Sequence, residues 1–208
     1  MSTKPPLVSA VLLAAGKSER MGRNKLLMPF EGGTIIGRTL DNLLSSRVRE
    51  IVVVVGACAQ EMSVAIENRA VTMVLNPNYA KGMSTSLITG IRMISKRAKY
   101  VMVALGDQPF VTSNTYDRLI EAAFETGRGI VIPTYSRQRG NPILISAGYF
   151  PEILHFSGDV GGRELLVQYP DDVLEVAVSD EGIVINVNTP DEYEKRIGRM
   201  QQPKTDPR

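Results

Sequence analysis

The sequence predicts an α/β protein, a single three-layer α/β/α domain built around a Rossmann-like, mostly parallel sheet. Three observations carry this expectation. Short apolar runs, most of them continuous, recur between segments of helical periodicity, as strands covered on both faces require. In one helical segment Leu87, Ile91 and Ile94 fall at spacings of four and three and so share one buried face. The first apolar run passes directly into LAAGKSERMGRNK, residues 13–25, a loop with glycines and cations placed where a strand ends. Backbone N–H groups and basic side chains converging at such a point form a phosphate cradle.

Taken in order, strands are predicted over residues 9–13, 51–55, 71–75, 100–105, 130–133, 143–145, 173–178 and 183–186, each a short apolar run. Helices are predicted over 34–45, 60–67, 84–97, 113–126, 163–168 and 190–200, the last opened by Pro190 at its first turn. The segment 137–168 interrupts the alternation with RGNP and a glycine pair. It reads as an insertion over the carboxyl edge of the sheet, a substrate-facing subregion and not a second domain. Residues 1–200 then form one domain, followed by a flexible tail, 201–208, which has two prolines and no apolar residue.

A chain of 208 residues can bury a full core without a disulfide or structural metal. Its one cysteine, Cys58, excludes an intrachain disulfide and a cysteine zinc site, which fits a reducing compartment. Basic residues number 24 and acidic residues 22, with no long basic block, so a nucleic-acid partner is not expected. A phosphate ligand must therefore be met by a local site. No apolar run approaches the roughly 20 residues of a membrane span. The start superficially resembles a leader, but its apolar run is only about seven residues and cleavage there would remove part of the phosphate loop. The expected location is the cytoplasm, with no membrane contact.

Five residues separate Gly16 from Gly22 and Lys25 lies three beyond the second glycine, a spacing that matches neither GxxxxGK[ST] nor GxGxxG. The second informative element is LGDQP, 105–109, in which Asp107 follows an apolar strand. A carboxylate at the carboxyl end of a central strand stands where open α/β sheets bind ligands, and its hard oxygens suit Mg²⁺ on a triphosphate, with Mn²⁺ as the alternative ion. INVNTP, 185–190, offers Asn186 and Asn188 as uncharged oxygen donors, Asn188 being equally suited to cap the following helix. In NPNYAKGMSTSL, 76–87, a loop runs into a helix start rich in N–H donors and hydroxyls. Arg139 and Arg163 carry guanidinium forks suited to phosphate. His155, the only histidine, reads as a packing or surface residue, and Cys58 lacks the surroundings of a nucleophile. What remains is cations, backbone donors, a carboxylate and no general base. That set suits nucleotidyl transfer to an acceptor phosphate, which arrives already ionised and needs only positioning and charge neutralisation.

Residues 13–25 resemble the LAAGxSxRMGxxK signature of nucleotidyltransferases that attach a nucleoside monophosphate to a phosphorylated acceptor. Together with LGDQP, GMSTSL, RGNP and SGDVGGRELL the chain resembles the molybdenum cofactor cytidylyltransferase branch of the MobA-like NTP transferase family. The resemblance implies a sheet of the nucleotide-diphospho-sugar transferase type and transfer of CMP from CTP to the terminal phosphate of molybdopterin, with release of pyrophosphate. It implies catalytic roles for Lys25, Arg20 and Asp107, and metal binding by Asp107 and Asn188. Nucleotide contacts fall to Leu13, Ala14, Ala15, Gly16, Ser18, Gly22, Lys25, Asn76, Gly82, Ser84 and Gly106, with Asn76 a candidate for the base. Acceptor contacts fall to Arg139, Asn141, Asp159 and Arg163. The product would pass to a molybdenum hydroxylase or its chaperone. The chain departs from the cytidylyl branch at INVNTP, where D-x-D-T-P is expected and N-x-N-T-P is the guanylyl form. LAAG, read LAGG in the guanylyl relatives, favours CTP over GTP. The rival readings are a guanylyltransferase, a sugar-phosphate nucleotidyltransferase, and a non-catalytic cofactor carrier or insertion chaperone.

Overall fold

The computed structural model describes residues 7–16, 24–187 and Tyr193. In chain order the strands are β1 (Val8–Ala14), the small hairpin β2 (Pro29–Phe30) and β3 (Gly33–Thr34), β4 (Glu50–Val55), β5 (Thr72–Leu75), β6 (Tyr100–Leu105), β7 (Ile130–Tyr135), β8 (Gln138–Arg139), β9 (Ile143–Ser146) and β10 (Val173–Ala177). The helices are α1 (Ile35–Leu44), α2 (Ala59–Ala65), α3 (Met83–Met93), α4 (Ser113–Thr126), α5 (Phe150–Ile153) and α6 (Glu164–Gln168).

The main sheet runs β5-β4-β1-β6-β9-β7-β10, with β8 a short hairpin partner of β7. β1 is central and pairs in parallel with β4 and β6, and β7 pairs in parallel with β10. β9 lies antiparallel between β6 and β7. The reversal that makes this possible is the β7–β8 turn, where Ser136 and Arg137 both take positive φ, 49° and 67°. Two consecutive left-handed residues give the tight hairpin geometry that matches strand twist.

Alternation along the strands sorts the core into two layers. Ala10, Leu12 and Ala14 of β1 pack under α1, α2 and α4 through Ile35, Leu40, Met62, Tyr116 and Leu119. On the other face Val11, Val52, Val54, Val101 and Val103 meet Leu87 and Ile91 of α3, Ile153 of α5 and Leu165 of α6. At Gly90 a Cβ would fall 2.3 Å from Val11 Cγ1, so the missing side chain is what lets α3 lie down on β1.

The expected three-layer, mostly parallel architecture is thus present. Two predicted elements and the segment 137–168 differ in detail. The strand expected over 183–186 is a 3₁₀ turn, Glu181–Val184. Asp180 causes this: its side chain accepts from Gly182 N (2.9 Å), Thr112 N (2.9 Å) and the hydroxyls of Thr112 and Thr115. That network pins the chain to the start of α4, and Ile183 and Val187 are buried by packing over the sheet's end without joining a ladder. The helix expected over 84–97 ends at Met93, because Ile94 turns extended and Ser95 N donates to Glu50 Oε2 at 2.9 Å. The helix expected over 190–200 lies outside the described residues except for Tyr193, whose hydroxyl donates to Pro29 O at 2.7 Å. The segment 137–168, expected over the carboxyl edge, sends β9 into the sheet itself.

Candidate active site

The carboxyl ends of β1, β4 and β6 form one edge. Gly106 N donates to Leu13 O at 3.0 Å, tying the turn after β6 to the root of the loop after β1. At Gly56, just past β4, a Cβ would sit 2.5 Å from Ala15 O and 2.8 Å from the Tyr79 ring. Only glycine lets that loop root pass so close. Leu13, Ala14, Ala15 and Gly16 stand at this edge, Ala15 being buried and Gly16 exposed. Arg20, Ser18 and Gly22 lie outside the described residues.

The chain re-enters the description at Asn24, whose side-chain oxygen accepts from Leu26 N at 3.0 Å and starts a 3₁₀ turn over Lys25–Leu27. Leu26 anchors this turn in the core at 4% exposure. The same turn delivers Lys25 Nζ to 2.5 Å from Asp107 Oδ2, with the two side chains 18% and 15% exposed. The turn that carries Asp107 is held by α1. Thr39 Oγ1 donates to Gly106 O at 3.2 Å, and Asn42 Nδ2 donates to Pro109 O and Val111 O at 3.0 and 2.8 Å. Thr39 and Asn42 are thus positioning residues the sequence did not disclose, although their i, i+3 spacing on one helix face was visible.

The C-terminal segment also comes to this point. Val187 N donates to Asp107 O at 3.3 Å, and the buried Gln108 side chain donates to Ile183 O at 3.2 Å. Asn186 therefore stands in a segment bonded to the Asp107 turn, and its Oδ1 is buried without a hydrogen-bond partner. An orphaned buried oxygen costs about 1–3 kcal/mol unless something binds it. Asn188 lies outside the described residues. Asp107 offers a carboxylate oxygen and Asn186 an amide oxygen on two hydrogen-bonded segments, donor types that suit Mg²⁺ or Mn²⁺, ions that take hard donors and fill the remaining positions with water or phosphate. Among the described residues no group of three or more His, Cys, Asp or Glu gathers.

The GMSTSL loop is held by a set of internal hydrogen bonds. Asn76 is 1% exposed, its Nδ2 donating to Thr85 Oγ1 and Ser86 Oγ at 2.9 Å each and its Oδ1 accepting from Asn78 N at 2.9 Å. Its amide braces the loop from below. Ser84 is fully buried and donates from Oγ to Gly158 O at 2.7 Å. Gly82, at φ 116°, packs so closely on Gly158 that a Cβ would reach 2.2 Å from Gly158 O. Asp159 Oδ1 accepts from Met83 N at 3.2 Å, which makes it the cap of α3 supplied from 76 positions away. The loop at 82–84 and the segment at 158–159 are clipped together here.

The remaining acceptor candidates are separate. Arg139 forks onto Glu175 through Nε and Nη2 at 2.7 and 2.6 Å, with both side chains about half exposed. Asn141 is half-buried and anchored by its backbone N to Ile183 O at 3.0 Å. Arg163 is exposed at the start of α6. His155 is exposed, with Nδ1 2.7 Å from Pro151 O, and Cys58 is half-buried at the start of α2. The structure thus brings Lys25, Asp107 and the Asn186 segment together, and clips Gly82 and Ser84 to Asp159.

A central strand whose following segment returns a lysine to an aspartate on the neighbouring strand end forms the kind of carboxyl edge at which α/β proteins bind ligands. The comparisons are more specific: residues 10–173 match the model of the MobA-like NTP transferase domain, and the chain belongs to that family. It is 34% identical to the nicotine blue oxidoreductase of Paenarthrobacter nicotinovorans, over 90% of this chain and 95% of that protein. It is 26% identical to the molybdenum cofactor cytidylyltransferase of Escherichia coli K12, over 89% of this chain and 93% of that protein. Among solved structures, Rv0371c of Mycobacterium tuberculosis superposes with a TM-score of 0.81 at 27% identity, covering 94% of this chain and 100% of that one. A manganese complex of Rv0371c superposes with a TM-score of 0.76, at 27% identity and over 92% of this chain and 98% of that one.

Proposed function

We propose that this protein transfers CMP from CTP to the terminal phosphate of a molybdopterin-type acceptor. An acceptor phosphate oxygen attacks the α-phosphorus, the bond to the β-phosphate breaks, and pyrophosphate leaves. The observation that carries this reading is the Lys25–Asp107 pair at the carboxyl edge of the sheet, 2.5 Å apart. The acceptor needs no base, in keeping with a site whose work is charge placement. Lys25, with Arg20 and the loop amides, offsets charge on the α-phosphate and the leaving pyrophosphate. Asp107 and an asparagine of the 186–188 pair hold a divalent cation, which when bound supplies further neutralisation of the nucleotide phosphates. The clip between the α3 start and 158–159 supports the loop that faces the nucleoside, and Arg139, Asn141 and Arg163 are assigned to the acceptor side. Arg139 must leave Glu175 to serve there, a move that exposed pairs permit at little cost.

The base preference is assigned to CTP on Ala15, whose buried methyl narrows the loop root. Pyrophosphate release from CTP and GTP, at matched concentration with the same acceptor and Mg²⁺ or Mn²⁺, tests it; faster release from GTP overturns it. Sugar-phosphate acceptors belong in the same panel. So does an assay of NADH consumption, because one relative carries an oxidoreductase name. Tight acceptor binding without metal-dependent pyrophosphate release would identify a carrier. Replacing Lys25 with Ala is expected to lower turnover by about 10³-fold or more, the scale of a charge-stabilising group acting in the transition state.

A further inference from the structure

Lys25 and Asp107 are 82 positions apart in the chain, yet fold to a 2.5 Å contact at which less than a fifth of either side chain is exposed. Each charge has surrendered much of its hydration there, and the partner replaces what was lost. The ammonium is held on Oδ2, an oxygen of the same carboxylate that the metal reading requires. An ammonium and a divalent cation cannot both sit on one carboxylate oxygen without strong repulsion.

We propose that Lys25 is the resident counter-ion of Asp107, that it competes with the divalent cation for this carboxylate, and that cation entry releases Lys25 to the nucleotide phosphates. This rests on Asp107 being the metal-holding residue. The contact then keeps the nucleotide-free protein weak for metal. A nucleotide offers the displaced ammonium a second anionic partner, so nucleotide and cation strengthen one another's binding by the same factor.

The test uses the nucleotide-free protein and Mn²⁺ alone, with free Mn²⁺ read by electron paramagnetic resonance. Lys25→Met is expected to bind Mn²⁺ about tenfold tighter than the parent chain, and Asp107→Asn to lose the site in either background. Equal or weaker binding by Lys25→Met, with loss in Asp107→Asn, overturns the competition while leaving the metal assignment intact. Unchanged binding in Asp107→Asn overturns the assignment and the competition with it. A second measurement needs no variant. In the unaltered protein, trace acetylation of Lys25 relative to Lys96 and Lys99 is expected to rise severalfold when Mg²⁺ is added, and no rise overturns the proposal.

Discussion

At the scale of single residues, the same chemistry serves the site and the frame. Asn76, Ser84 and Asp159 bear groups that could meet a nucleotide or acceptor, and each also makes a hydrogen bond within the protein, the first two while buried. Tyr149 shows the same commitment at the opposite end of the sheet, its hydroxyl donating to Asp172 Oδ2 at 2.6 Å. Burial first, and then that bond, push its phenol from 10.0 up to about 12. A raised value means the native state keeps a proton that the unfolded chain releases. The stabilisation is therefore full below pH 10.0 and is lost as pH climbs towards about 12. Urea midpoints measured across this window should fall less steeply for Tyr149→Phe than for the parent chain; parallel profiles would remove this role from Tyr149.

At the scale of elements, α3 is the piece on which the nucleotide side depends. Its start is fastened by Asp159 and Gly158, and its middle is seated on β1 through Gly90. Asp159→Ala removes a cap and is expected to cost about 1 kcal/mol. Amide exchange should accelerate first in α3, and CTP affinity should weaken more than acceptor affinity. Comparable loss of both would favour a direct role of Asp159 in acceptor binding. Gly90→Ala gains helix propensity of about 1 kcal/mol but drives a methyl into Val11, where overpacking costs about 1–3 kcal/mol. A net loss of stability is expected, and Val11→Ala in the same chain should recover part of it, a coupling that a double-mutant cycle reads directly.

At the scale of the whole molecule, the functional edge is assembled from β1, β4, β6 and the segment before Asn188, so a ligand bound there draws on most of the fold. CTP with Mg²⁺ at about 100 times its dissociation constant should stabilise the native state by about 2.7 kcal/mol. That shift should disappear in Asp107→Asn if the cation is required for the nucleotide to bind. No helix among the described residues is long and apolar enough to cross a membrane. The sequence by itself determined the alternating α/β plan and the two-faced burial of the central strands, because continuous apolar runs and helical spacing are local signals. It also singled out Lys25 and Asp107, with Arg20, as candidates for the chemistry. Only the tertiary structure decided that Lys25 and Asp107 meet at 2.5 Å, that β9 enters the sheet antiparallel, and that 181–184 is a turn drawn in by Asp180. It also buried Asn76 and Ser84, bonded the exposed Asp159 to the start of α3, and set Thr39 and Asn42 beneath the Asp107 turn. Most of these outcomes depend on partners 65 to 82 positions distant, and no periodicity along the chain records which hydrogen-bonding group will find which partner.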